Sequence, residues 1–133
     1  MKFSALCALT LTVLLAANAR AEDIVVIVNP VSAPLSKEQI ADIYLARNST
    51  RTPIDQPAGS SIYSEFYKRA TGHDPAQVKA IWSKILFTGR GVPPKQLPDS
   101  AAVKKAVAAN PKAVGYIEKS AVDASVKVIL PLS

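Results

Sequence analysis

Ile54-Asp55-Gln56-Pro57-Ala58-Gly59-Ser60-Ser61-Ile62-Tyr63-Ser64-Glu65-Phe66-Tyr67 decides the architecture of this chain. It reads as a short extended segment, a Pro/Gly/Ser turn and the opening of an amphipathic helix. Ile62, Phe66 and Ala70 recur at helical spacing, with Tyr63 and Tyr67 beside them, and Gly72 is placed to stop the helix. A strand that delivers directly into a helix is the unit of an α/β fold. At such a turn the first backbone N–H groups have no intrahelical partner, two hydroxyls stand next to them and the positive end of the helix dipole faces the same point. Gly59, Ser60 and Ser61 therefore form a candidate oxyanion cradle. An ordinary helix cap uses the same residue types, so the residues alone leave both roles open.

Upstream, Ile24 to Val28 is a continuous β-branched run closed by Asn29-Pro30, the pattern of a strand covered on both faces. Ser36-Lys37-Glu38-Gln39 has the spacing of a capping box, and Ile40, Ile43 and Tyr44 follow on one face, which predicts a helix over Lys37 to Leu45. Ala46 to Pro53 is polar and reads as a loop. Downstream, Asp74-Pro75-Ala76-Gln77 opens a helix carrying Val78, Ile81, Trp82, Ile85 and Leu86, with Trp82 expected in the core. Thr88 to Pro98 is irregular. Asp99 or Ser100 then caps an alanine-rich helix with Val103 and Val107 inward. Ala113 to Ile117 is a strand in which Gly115 allows close approach, and Val126 to Leu130 is the last strand. The order β-α-β-α-α-α-β-β specifies an α/β layer structure with a small mixed sheet.

The N-terminus has a charged Lys2, an uncharged run from Phe3 to Asn18 and Ala19-Arg20-Ala21, the parts of a secretory signal peptide cleaved after Ala21. Of 133 residues, removal of 1–21 leaves 112, a single domain over 22–133, with 14 basic residues (16 less Lys2 and Arg20) against 10 acidic ones. The cleaved segment takes the lone cysteine, Cys7, with it, so the mature chain has no thiol for a disulfide, a nucleophile or a metal. The expected product is periplasmic, without membrane insertion after cleavage. Lys68-Arg69 and Lys104-Lys105 are isolated pairs without interleaved aromatics, which argues against nucleic-acid binding.

Three segments in the same order resemble the phosphate-binding components of bacterial ABC importers: Leu35 to Leu45, Gly59-Ser60-Ser61 with Phe66, and Asn110-Pro111-Lys112-Ala113-Val114-Gly115-Tyr116-Ile117. The resemblance implies a single lobe of the type 2 periplasmic-binding-protein fold, reduced from the two lobes that close over phosphate in that family. In the family the Ser/Gly/Thr turn donates to phosphate, an arginine a few residues earlier supplies charge, and an aspartate accepts from the protonated ligand. Here Gly59, Ser60 and Ser61 match the turn, while Ile54 to Ala58 holds no cation and Asp55 stands in its place.

Asp55 could accept from a monohydrogen anion or serve as a turn residue before Pro57. Arg90, between Gly89 and Gly91, is the candidate for the missing cation, with Arg47 and Arg51 behind it. His73 is the lone histidine, so neither a metal site nor a serine nucleophile with its base is expected, and no cofactor. The expected function is non-catalytic: binding of phosphate or a related oxyanion as an accessory to ABC-type uptake or sensing, with an ABC permease or a second copy of the chain as partner. The alternative is an orphan lobe that serves as a protein-interaction module.

Overall fold

The computed structural model describes residues 23–132, so the signal-peptide assignment lies outside the described residues. The elements are β1 (Ile24–Val28), α1 (Lys37–Tyr44), β2 (Thr52–Asp55), α2 (Ser61–Thr71), α3 (Pro75–Phe87), β3 (Lys95–Gln96), α4 (Ser100–Ala109), β4 (Ala113–Glu118) and β5 (Lys127–Leu132), with a 3₁₀ turn at Lys119–Ala121. They form one five-stranded mixed sheet in the order β3-β2-β4-β1-β5. β2 runs parallel to β3 and β4, whereas β1 is antiparallel to both β4 and β5.

The helix starts follow the capping chemistry of the sequence. Ser36 with Gln39, and Asp74 with Gln77, make reciprocal capping boxes, and Asp99 accepts from the Ala102 amide. Gly72 ends α2 at φ 77°, a left-handed position that glycine adopts without strain. Every residue of β1 is buried, because helices cover both faces of the sheet. On one face Val26, Val114 and Tyr116 meet Ile40, Phe66 and Val78 from α1, α2 and α3. On the other, Val25, Ile27, Ile54 and Ile117 meet Val103 and Val107 of α4.

Two expectations need correction. The polar loop ends before Thr52, because Thr52 and Pro53 already belong to β2 and pair with Ala113 and Val114. The proline-rich segment is not irregular throughout: Lys95 and Gln96 form the edge strand β3, paired with Ile54 and Asp55. Both are exposed, and a strand of two residues held only by backbone bonds has no side-chain periodicity to announce it.

β3 also sets up the functional geometry. The chain leaves β2 through α2 and α3 on one face, and leaves β3 through α4 on the other. Adjacent parallel strands whose onward connections diverge to opposite faces open a crevice at their carboxyl ends, the usual place for a ligand in an open α/β sheet.

Candidate functional site

The loops that follow β2 and β3 line a depression of about 520 Å³ at that crevice. From β2 come Gln56 and Pro57, then Ser60, Ser61 and Ile62 at the start of α2; from β3 come Pro98 and Asp99, then Ser100 and Ala101 at the start of α4; Glu118 closes it from the end of β4. Two helix N-termini thus reach one cavity from opposite sides of the sheet, each with two leading amides that lack intrahelical partners.

Ser60 is the N-cap of α2. Its Oγ accepts from the Tyr63 amide at 3.3 Å and donates to the Pro57 carbonyl at 2.6 Å. The Ser61 hydroxyl stands on the exposed first turn. Across the cavity, Asp99 Oδ1 accepts from the Ala102 amide at 2.8 Å. The buried Gln56 ties the loops together: its Nε2 donates to Ser100 Oγ at 2.8 Å and to the Tyr116 carbonyl at 3.2 Å, and Ser100 Oγ donates to Glu118. This chain of bonds holds both loops in place without a cation; no Lys, Arg or His lines the depression. The dipoles favour an anion, whereas Asp99 and Glu118 oppose a fully ionised one. An oxyanion that still carries a proton satisfies both, by accepting from the amides and hydroxyls and donating to Glu118.

The five sequence-predicted residues do not all converge: Asp55 and Arg90 lie apart from Gly59, Ser60 and Ser61. Ser60 and Ser61 line the depression, with Gly59 one residue before them. Asp55 belongs to a separate cavity of about 520 Å³ between β2, α2 and α3, and Arg90 to a third depression with Arg47, Lys84 and His73. The reasons are geometric. Successive strand residues point to opposite faces, so Asp55 turns toward Tyr67 and Tyr116 on the α2 side. Arg90 follows the far end of α3, a helix about 20 Å long at 1.5 Å per residue, whose start lies by the Asp55 cavity. Among the other cations, Arg47 pairs with Asp42 at 3.0 Å, and Arg51 donates to the Ala33 carbonyl at 2.9 Å. Gln56, Asp99, Ser100 and Glu118 were not singled out as site residues by sequence. Their one visible signal was the second cap at Asp99, which nothing local linked to the first.

Asp55 is 3% exposed and accepts from Tyr67 Oη at 2.7 Å and Tyr116 Oη at 2.5 Å. Burial pushes its carboxyl up from 3.8 to about 6, restrained by the bonds from Tyr116 and Tyr67 and by the Gln56 amide. Burial raises the phenols of Tyr67 and Tyr116 as well, with the Asp55 charge adding to it, so both remain protonated donors. Between 3.8 and about 6 the folded state holds the Asp55 proton more tightly than the unfolded chain. Stability from this group is therefore present at low pH and lost as pH rises through that window, by up to about 3 kcal/mol. Urea unfolding from about pH 4 to about pH 7 should show this slope in the wild type relative to Asp55→Asn. Parallel stability curves for the two proteins would refute it.

Among the described residues, no helix is long and apolar enough to cross a membrane, and no three His, Cys, Asp or Glu side chains gather as a metal site. No protein-family model matches the chain, and no curated protein matches it by sequence. Solved structures do share its fold. A protein from Clostridium perfringens described as a phosphate ABC transporter substrate-binding protein, solved with bound phosphate, superposes with a TM-score of 0.65 at 22% identity over 81% of this chain. An ABC-type phosphate transport receptor from Vibrio cholerae gives 0.63 at 20%, and PstS from Borrelia burgdorferi 0.60 at 14%, each again over 81% of the chain. The matched region is 44%, 45% and 46% of those proteins, so the chain spans less than half the length of each. The fold is that of a single lobe of the phosphate-binding-protein architecture, a mixed sheet with helices on both faces, as the sequence led us to expect.

Proposed function

We propose that this chain is a non-catalytic periplasmic binding module. It holds phosphate, or a related oxyanion that retains a proton, between the N-termini of α2 and α4, as an accessory to ABC-type phosphate uptake or sensing. The observation that carries this reading is the meeting of two helix starts, the Ser61 hydroxyl and the Glu118 carboxylate in one depression at the switch point of the sheet. It is supported by a fold shared with a protein solved with bound phosphate. An open single lobe leaves much of the ligand in water and supplies no cation, so a Kd on the order of 1 mM, about −4 kcal/mol, is expected.

Isothermal titration of the mature chain should show phosphate binding in that range, weakening as pH rises and the ligand loses its last proton but one. Sulfate, which has no proton to give Glu118, should bind more weakly. Ser61→Ala removes one hydroxyl donor and should weaken phosphate roughly 2- to 10-fold, the equivalent of about 0.5–1.5 kcal/mol. Glu118→Gln should narrow the difference between phosphate and sulfate. Absence of heat with millimolar phosphate, or identical affinities in all three proteins, sinks the proposal.

A second reading, an association module, is favoured by one feature: Phe87 is 93% exposed at the end of α3, next to Leu86 and near the exposed Val92 in sequence. Light scattering on the wild type and Phe87→Ser distinguishes a dimer built on this patch from a monomer.

A further inference from the structure

Asp55 is a buried carboxylate without a cation. Its charged and titratable neighbours are Tyr67 and Tyr63 from α2, Tyr116 from β4, Tyr44 from α1 and, at the cavity lining, Lys79 from α3. Among the described residues no Lys or Arg pairs with it, and the Lys79 side chain belongs to an exposed residue. A buried charge held only by neutral donors is unusual, because the cost of leaving water is normally met by an opposite charge or a metal. Each carboxylate oxygen takes one phenol hydrogen and the Gln56 amide adds a third donor, whereas an ionised carboxylate offers about four acceptor sites, so acceptor capacity remains on a residue that lines the cavity.

The cavity itself suits an organic cation. At about 520 Å³ it lies within the range of small-molecule sites. Pro75, Pro93 and Pro94 contribute rigid apolar walls that have no N–H to offer the carboxylate, and the rings of Trp82 and Tyr63 supply aromatic lining. The Trp82 indole nitrogen already donates to the Tyr44 carbonyl at 3.2 Å, which fixes the ring within the core. Aromatic rings beside a carboxylate attract an ammonium group through their electron-rich faces, more strongly where water is excluded.

From this geometry we propose a second binding site, separate from the oxyanion depression, that takes a small primary ammonium compound with an apolar body, its charged group on Asp55 and its hydrocarbon between Trp82, Tyr63 and the prolines. The site has the opposite charge preference to the α2–α4 depression and shares no lining residue with it.

The test is titration of the mature chain with benzylammonium chloride, with benzyl alcohol as the uncharged probe. The ammonium should bind at least tenfold more tightly than the alcohol at about pH 7.5 and lose that advantage as Asp55 protonates below about pH 5. Asp55→Asn should remove the advantage. Ala76→Phe, an exposed change at the cavity lining that leaves Asp55 intact, should block both probes. Saturating phosphate should leave the benzylammonium titration unchanged, so the two sites succeed or fail independently. Equal binding of the two probes, no binding at about 10 mM, or unaltered benzylammonium affinity in Asp55→Asn overturns the proposal.

Discussion

Phe66→Ala is expected to cost about 3–5 kcal/mol of folding stability, the upper range for a buried aromatic reduced to alanine. Phe66 is fully buried and stacks on Tyr116 with ring centroids 3.8 Å apart and planes 2° from parallel. It also meets Tyr44 edge-on at 4.6 Å and Tyr67 at 5.2 Å. Its ring is thus the centre of an aromatic cluster contributed by α1, α2 and β4, three elements far apart in sequence. Removing it leaves a void that rings held by hydrogen bonds cannot readily fill: Tyr44 Oη is committed to the Ile54 carbonyl, and Tyr67 and Tyr116 to Asp55. Urea unfolding of the mature protein gives the number, and Phe66→Leu, which keeps most of the volume, should lose clearly less. A loss below about 1 kcal/mol for the alanine variant would mean that this cluster is not the organising core.

Gly115→Val should be comparably damaging, for the opposite reason. Gly115 lies in the middle of β4, opposite Ile27 of β1, with α4 packed directly over it. A β-carbon there would stand 2.6 Å from Val103 Cγ1 and 3.0 Å from Val107 Cγ2, and valine adds two further methyl groups. These contacts come from two stiff, β-branched residues one helical turn apart, so relief requires α4 to lift from the sheet. Overpacking of this kind costs about 1–3 kcal/mol or more. Because the first turn of α4 lines the depression between α2 and α4, the same displacement should weaken the phosphate binding proposed for it. Gly115→Ala should show a smaller version of both effects. Combining it with Val103→Ala, which vacates the nearest contact, should restore stability beyond additivity. Strictly additive losses would show that α4 does not ride on this contact.

Both predictions rest on the sheet's two-sided cover, and that much was legible from the residues. The unbroken Ile24–Val28 run required burial on both faces, and both faces are covered. The capping boxes at Ser36 and Asp74 located two helix starts, and the Gly59-Ser60-Ser61 turn and the Asp99-Ser100 pair marked two more, whose caps are Ser60 and Asp99, because capping is local chemistry between residues three apart. Gly115 as a point of close approach was legible too, since an isolated glycine in an apolar strand has few other uses.

What the sequence by itself determined was therefore every element except β3, the order of those elements and the layer class, because periodicity, caps and breakers act within a few residues. It also supplied the resemblance to phosphate-binding lobes, whose fold the solved structures share. Tertiary structure alone decided which of the candidate residues meet. The helix starts of α2 and α4 come together because β2 and β3 are neighbours whose connections leave on opposite faces, a fact that depends on a two-residue strand with no sequence signature. The same arrangement sends Asp55 inward among tyrosines and leaves Arg90 beyond the far end of α3, so the residues assigned from sequence to one anion site are divided among three cavities. Side-chain direction alternates along a strand, and a helix carries the chain forward about 1.5 Å per residue, so nearness in sequence carries no guarantee of nearness at a site.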